Sequence, residues 1–135
     1  MIYDAVIIGA GPAGACAGYW LAVAGLKIAL VDRRKFPREK LCGGLLTYKT
    51  VDMLRTILPV EDIPKYGILA SYVFHHGQPA ASFKLLSEAY TVRRLQFDTL
   101  LVEATEKRGV HNYLGESLQT IDFTKREVRL SGGHR

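Results

Sequence analysis

Residues 4–14 read DAVIIGAGPAG, an apolar run that passes directly into glycines at Gly9, Gly11 and Gly14, with Pro12 and Ala13 between the last two. A second apolar run, KIALVD, ends on Asp32, 18 positions after Gly14. Few patterns constrain a fold so narrowly, because each residue has a separate physical task. Gly9 permits a sharp turn from strand to helix, and Gly11 lacks the Cβ that would keep a pyrophosphate away from the backbone. Gly14 lets the helix lie close against the sheet. The free N–H groups and the positive dipole end of that helix, opened by Pro12 and Ala13, then face the phosphates. Asp32 stands at the tip of the second strand, where a carboxylate accepts hydrogen bonds from ribose hydroxyls.

The 135 residues, 48% of them hydrophobic, are enough for one modest core. A net charge of +5 raises the question of nucleic acid. The cations gather at Arg33, Arg34, Lys35, Arg38 and Lys40, with a smaller group at Lys125, Arg126 and Arg129. Neither group is interleaved with aromatics as a base-stacking platform requires, which argues against nucleic acid and for a solvated loop or attraction of an anionic ligand. The two cysteines, Cys16 and Cys42, form no CxxC and no cysteine–histidine metal pattern. Cys16 reads as a buried small apolar residue of the first helix, a disulfide between the two is not expected, and the chain reads as cytoplasmic. Asp4 and the glycine turn break the N-terminal apolar stretch, so it is no signal peptide. The run from Ala13 to Val31 divides into helix and strand rather than spanning a membrane.

The expected class is α/β: a Rossmann-like strand–helix–strand unit over Tyr3–Ile8, Pro12–Ala24 and Leu26–Asp32, with Gly25 at the helix C-terminus. Ala13, Ala17, Leu21 and Ala24 form the expected sheet-facing stripe. Residues 33–47 read as a charged, glycine-containing loop, followed by a short helix over Lys49–Leu58. Residues 66–93 read as a small antiparallel β insertion, with strands ILASYVF, ASFKLL and AYTVRR and a turn at Gly77–Pro79. A helix over Gln96–Lys107 and strands over Gly115–Phe123 and Glu127–Leu130 complete the chain. Its end at Gly132-Gly133-His134-Arg135, just after a hairpin, reads as a truncation of a longer domain.

Three ordered motifs, DAVIIGAGPAG, DRRKFPREKLCGG and YTVRRLQFDTLLVEATEKRG, resemble the N-terminal part of flavoproteins of the geranylgeranyl reductase group. That group lies within the para-hydroxybenzoate-hydroxylase-like FAD-dependent oxidoreductases. The resemblance covers essentially the whole chain, but only about the first third of a typical member. It implies that Gly9, Gly11, Pro12, Ala13 and Gly14 cradle the FAD pyrophosphate and that Asp32 binds the ribose. Members more often carry Glu there, so the reach is shorter here. Arg33 would lie near the adenine end, Cys42, Gly43 and Gly44 beside the flavin ring, and Arg94 against the cofactor. Arg93 stands where Asp is frequent.

Read without the resemblance, the same residues have plainer roles. The rival for Arg94 is a helix-flanking surface arginine and for Cys42 an inert loop thiol, while Asp98 reads as a helix-start acid favourable with the dipole rather than a catalytic base. His75 and His76 lack a third metal ligand, and Trp20 and the tyrosines read as core or interface. No metal site is expected.

The resemblance implies reduction of carbon–carbon double bonds in prenyl chains by hydride from reduced FAD, with NAD(P)H as a candidate electron donor. The substrate class is an apolar prenyl or lipid molecule, and the whole protein has room for a peripheral membrane contact. The alternatives are an oxygen-dependent hydroxylase or halogenase of the same superfamily, a prenyl-binding escort module without turnover, and an NAD(P) domain in which Arg33 and Arg34 accept a 2′-phosphate. The Cys42-Gly43-Gly44 loop is not needed by the NAD(P) reading. Members carry a further flavin-binding Gly-Asp stretch far downstream. The 135 residues are therefore expected to bind FAD weakly and to catalyse nothing alone.

Overall fold

The apolar run ahead of Gly9 becomes strand β1 (Ala5–Ile8), and the run ending at Asp32 becomes β2 (Ile28–Asp32). In the computed structural model, which describes residues 1–68, 70–84 and 89–133, the two strands pair in parallel with Ile7 opposite Leu30. Helix α1 (Pro12–Val23) joins them, as a right-handed crossover requires. Residues 28–31 of β2 are all buried, which is why that strand reads as a continuous apolar run.

Gly14 and Gly18 set how closely α1 approaches the sheet. A Cβ at Gly14 would collide with the Gly9 carbonyl oxygen, and one at Gly18 would stand 3.6 Å from Ile7 Cδ1. The expected alanine stripe is therefore corrected: Ala13, Ala17 and Ala24 are exposed, and only Leu21 of that set packs on the core. The helix turns its glycines inward because they carry no side chain to hold the backbones apart.

Residues 33–47 are not loop throughout. Strand β3 (Leu45–Leu46) interrupts them, followed by helix α2 (Tyr48–Leu54) and a 3-10 turn over Val60–Asp62. The helix ends four residues before its expected boundary, and the chain continues in turns that still bury Ile57. Strands β4 (Lys65–Gly67), β5 (Ala70–His75), β6 (Gln78–Lys84) and β7 (Tyr90–Val92) form the insertion. Here β5 and β6 make an antiparallel hairpin turning at His76–Gly77, and Pro79 lies inside β6. Of the strand expected at ASFKLL, residues 81–84 lie in β6, while Leu85 and Leu86 fall outside the described residues, as do Leu69 and the terminal His134-Arg135. The three-stranded order β3-β7-β4 shows that the insertion recruits Leu45–Leu46 from beyond its expected boundary.

Helix α3 (Arg94–Glu106) starts two residues earlier than the sequence indicates, with Arg93 as its extended N-cap. It leads into β8 (His111–Leu114), which pairs in parallel with β2 and completes the order β1-β2-β8. The segment HNYL carries too few apolar residues to announce a strand. Asn112 sits opposite Leu30, and Gly115 turns the chain toward the hairpin of β9 (Leu118–Asp122) and β10 (Glu127–Leu130).

Among the described residues two clusters form the interior. Ala10, Ile28, Leu30, Val102 and Val110 fill the space beneath the parallel sheet. Ala15, Tyr19, Val51, Leu54, Phe97 and Leu101 are among those that fasten α1 and α3 to the α2 region. Helix α3 contributes to both, Val102 to the cluster under the parallel sheet and Phe97 and Leu101 to the cluster of the α2 region. Trp20, expected in core or interface, is 44% exposed. Among the described residues no helix is long and apolar enough to cross a membrane.

Candidate cofactor site

Gly9 takes φ +109°, a conformation few other residues adopt, and its N–H donates to Val31 O at 2.7 Å. The chain thereby leaves β1 against the end of β2 and enters α1 at Gly11. Among the described residues no side chain caps α1, and no acid sits in its first turn. A helix end left this way offers its first N–H groups and its positive dipole to an anion. The missing Cβ at Gly14 is what allows the turn to close over Gly9 O.

Asp32 ties that turn together. Its Oδ2 accepts from Ala10 N at 2.9 Å and its Oδ1 from Arg34 N at 2.9 Å. Its own carbonyl accepts from Gly115 N at 2.8 Å. The carboxylate keeps lone pairs beyond these two bonds, since ionised Asp accepts at about four positions. Asp32 and Arg33 line a cavity of about 390 Å³ with Ile8, Gly9 and Val31. Glu116, Ser117 and Leu118 close its other wall, and nothing local in the sequence marks those three.

A second cavity, about 320 Å³ and mostly apolar, opens on the other side of the turn. Pro12, Ala13 and Cys16 of α1 form one wall, and Cys42, Gly44, Leu45 and Leu46 another; Met53, Val92, Arg94 and Phe97 complete it. Gly44, at φ +68°, lies so close to β7 that a Cβ would strike Val92 O, and Val92 N donates to Gly44 O at 3.0 Å. This glycine fixes the loop against β7 and sets the position of Cys42. Gly43 faces open space.

Cys42 is exposed. Gly44 N donates to its Sγ at 3.4 Å. That bond, with the Arg94 guanidinium, holds the thiol below its ordinary value, while desolvation and the Asp98 charge oppose the shift. The relevant cation is thus Arg94 of α3, not the charged run at 33–40. Cys16 is half-buried rather than enclosed, and burial pushes its thiol up. Both thiols are free.

Asp98 is the main correction. Read as a helix-start acid favourable with the dipole, it is fully buried and held by side chains instead. Its Oδ1 accepts from Arg94 Nε at 2.6 Å and its Oδ2 from Arg94 Nη2 at 2.9 Å, a bidentate fork, and Arg38 Nη2 lies 3.2 Å from Oδ2. The fork raises the Arg94 pKa further above its ordinary value. The spacing of Arg94 and Asp98 was a usable i,i+4 signal. The Arg38 contact had none, because it closes across the fold. His75 and His76 sit exposed at the hairpin tip, and no cluster of metal-binding side chains occurs among the described residues.

The geometry fits a dinucleotide: an uncapped helix end, a glycine cradle that a Cβ would fill, a carboxylate beside one cavity and an apolar cavity beyond. Residues 2–132 match the family model described as FAD binding domain. Conditioned medium factor receptor 1 of Dictyostelium discoideum is 48% identical over 92% of this chain and 27% of its own length. A menaquinone reductase of Mycobacterium tuberculosis is 32% identical over 95% of this chain and 33% of its own. A geranylgeranyl diphosphate reductase of Rhodobacter capsulatus is 52% identical over 34% of this chain and 11% of its own. The structure of the flavin-dependent brominase Bmp2 superposes with TM-score 0.80 at 25% identity, covering 94% of this chain and 32% of that one. The chain thus spans about a third, or less, of the length of the relatives it matches. With a glycine cradle of this form and a family match over nearly its whole length, the chain belongs to the FAD-binding domain family of the para-hydroxybenzoate-hydroxylase-like oxidoreductases, and its cofactor is FAD.

Proposed function

We propose that the whole protein reduces carbon–carbon double bonds of a prenyl chain. Reduced FAD supplies the hydride. The residues of this chain bind and orient the cofactor and keep water from it. In this reading the N–H groups opened by Gly11, Pro12, Ala13 and Gly14 take the pyrophosphate, with Gly9 shaping the turn. Asp32 takes the ribose, in the cavity it shares with Arg33. Cys42, Gly43, Gly44 and Arg94 stand at the flavin end. NAD(P)H is the proposed electron donor.

The observation that carries the reading is the apolar cavity. Leu45, Leu46, Met53, Leu54 and Phe97 offer hydrocarbon walls beside Cys42 and Arg94. Such walls suit an alkene and exclude water from the hydride donor. Support also comes from the relatives, one a geranylgeranyl diphosphate reductase and one a menaquinone reductase.

The test is anaerobic incubation of the whole protein, reduced with dithionite, with a geranylgeranyl lipid, followed by mass spectrometry. Saturation of the chain without oxygen is the expected result. The likeness to a flavin-dependent brominase favours one second reading, an oxygen-dependent halogenase or hydroxylase. Product formation only in the presence of oxygen would replace the reductase reading with that one.

A further inference from the structure

Cys16 comes from α1 and Cys42 from the segment between β2 and β3, yet both line the one apolar cavity of about 320 Å³. Their surroundings separate their chemistry. Cys42 is exposed, accepts the Gly44 N–H at 3.4 Å, and stands beside the Arg94 guanidinium that Asp98 holds in place. Cys16 is half-buried and packs against the cluster that contains Tyr19, Leu54 and Phe97.

We infer that Cys42 is a site of oxidation by a hydroperoxide and that Cys16 resolves the product, so that the two thiols close reversibly into a disulfide across the cavity. The thiol chemistry stands apart from the FAD reading. Its consequence, closure of the cavity assigned to the flavin end, rests on that reading and gives the site a means of regulation.

The two environments divide the labour. Peroxide reacts with the thiolate, and an exposed sulfur facing an N–H and a guanidinium favours that form. The same cation stabilises the oxyanion that leaves when the O–O bond breaks. Burial pushes the Cys16 thiol up, so it stays protonated and meets peroxide slowly. In the first step the Cys42 thiolate takes the terminal oxygen, the O–O bond breaks, and an alcohol or water leaves with a solvent proton. Cys42 is thereby oxidised to the sulfenic acid. In the second step the Cys16 sulfur attacks Cys42 Sγ, the S–O bond breaks, and hydroxide leaves as water with the Cys16 proton. The sum is two thiols and one hydroperoxide giving one disulfide, one alcohol and one water.

A disulfide needs Cα atoms about 4.4–6.8 Å apart, so Cys42 must advance toward α1. Residues 39–43 are exposed throughout, and Gly43 has open space where a Cβ would stand, which leaves the segment room to move. Gly44, pinned to β7, is the fixed end of that movement. Cys16, within the helix, is its rigid target. Such a bond is transient where thiol reductants are present, as redox-sensing pairs require.

The experiment treats the whole protein as purified with hydrogen peroxide, blocks the remaining thiols with iodoacetamide, and maps the cysteines by peptide mass spectrometry with and without dithiothreitol. The wild-type protein is expected to lose the free thiols of Cys16 and Cys42 together, to yield the linked peptide, and to regain both thiols on reduction. Cys16→Ser is expected to accumulate Cys42 sulfenic acid, trapped by dimedone, while in Cys42→Ser the Cys16 thiol survives the same peroxide. Urea unfolding verifies that both variants fold. Cys42 oxidised alone in the wild type, or bridged to any other cysteine, overturns the pairing, and an unreacted Cys42 overturns the inference entirely. FAD retained in the linked protein overturns the closure of the site. A protein that forms the bridge but binds no FAD refutes the cofactor assignment and leaves the thiol pair standing.

Discussion

Replacing Asp98 tests the buried charge cluster most directly. In Asp98→Ala, Arg94 loses both bonds of its fork and Arg38 loses its ion pair, at 2.6, 2.9 and 3.2 Å respectively. Removing one partner of a buried pair costs about 3–5 kcal/mol, because the remaining charges stay desolvated. Here the arginine side chains keep 15% and 12% exposure and gain some relief from water, so the lower end of that range, about 3 kcal/mol, applies. For a chain of this size that lowers Tm by roughly 10 °C. Asp98→Asn retains the shape and one acceptor oxygen, and should fall between wild type and alanine. Urea unfolding followed by circular dichroism, with the m-value checked for constancy, gives the comparison. A midpoint for Asp98→Ala equivalent to less than about 0.5 kcal/mol, the range of ordinary surface substitutions, would refute the view that this carboxylate organises the cluster.

Gly14→Ala drives a Cβ into Gly9 O and should destabilise by about 1–3 kcal/mol, the usual cost of overpacking. Gly18→Ala meets only ordinary contacts at 3.6 Å and should be neutral or stabilise by up to about 1 kcal/mol, through helix propensity; the same urea assay reads both, and equal effects would contradict the packing described. Iodoacetamide labelling across pH should show Cys42 reacting with a midpoint below the ordinary thiol value, because the Gly44 N–H and Arg94 favour the thiolate, while Cys16 reacts only at higher pH. Arg94→Met should move the Cys42 midpoint up, and an unmoved midpoint would discount the arginine. The 135-residue chain by itself should bind FAD weakly and turn nothing over; tight stoichiometric FAD absorbance after gel filtration would contradict this.

Much of the architecture was legible because its causes are local. The strand–glycine–helix–strand unit, its parallel pairing and the acid at the tip of β2 all follow from residues within one short stretch. Helix α3 was visible from Phe97, Leu100, Leu101 and Ala104, though its first turn was hidden by the arginines at 93 and 94. Strand β8 was missed because an edge strand reading HNYL buries too little apolar surface to show alternation. The sheet-facing side of α1 was misjudged because small apolar residues cover that helix on every side, and only contact with Ile7 and Gly9 O selects the glycines.

The sequence by itself determined the cradle, because a tight turn, a close backbone approach and a helix N-terminus each demand particular residues at fixed short spacings. Only the tertiary structure decided what surrounds it. Arg38 meets Asp98 from a distant loop, Cys16 and Cys42 share one cavity from separate elements, and Glu116 closes the pocket of Asp32. Such pairings carry no periodicity and no local conformational demand. They arise when packing brings distant segments together, and a buried charge then takes whichever partner the fold has placed within reach.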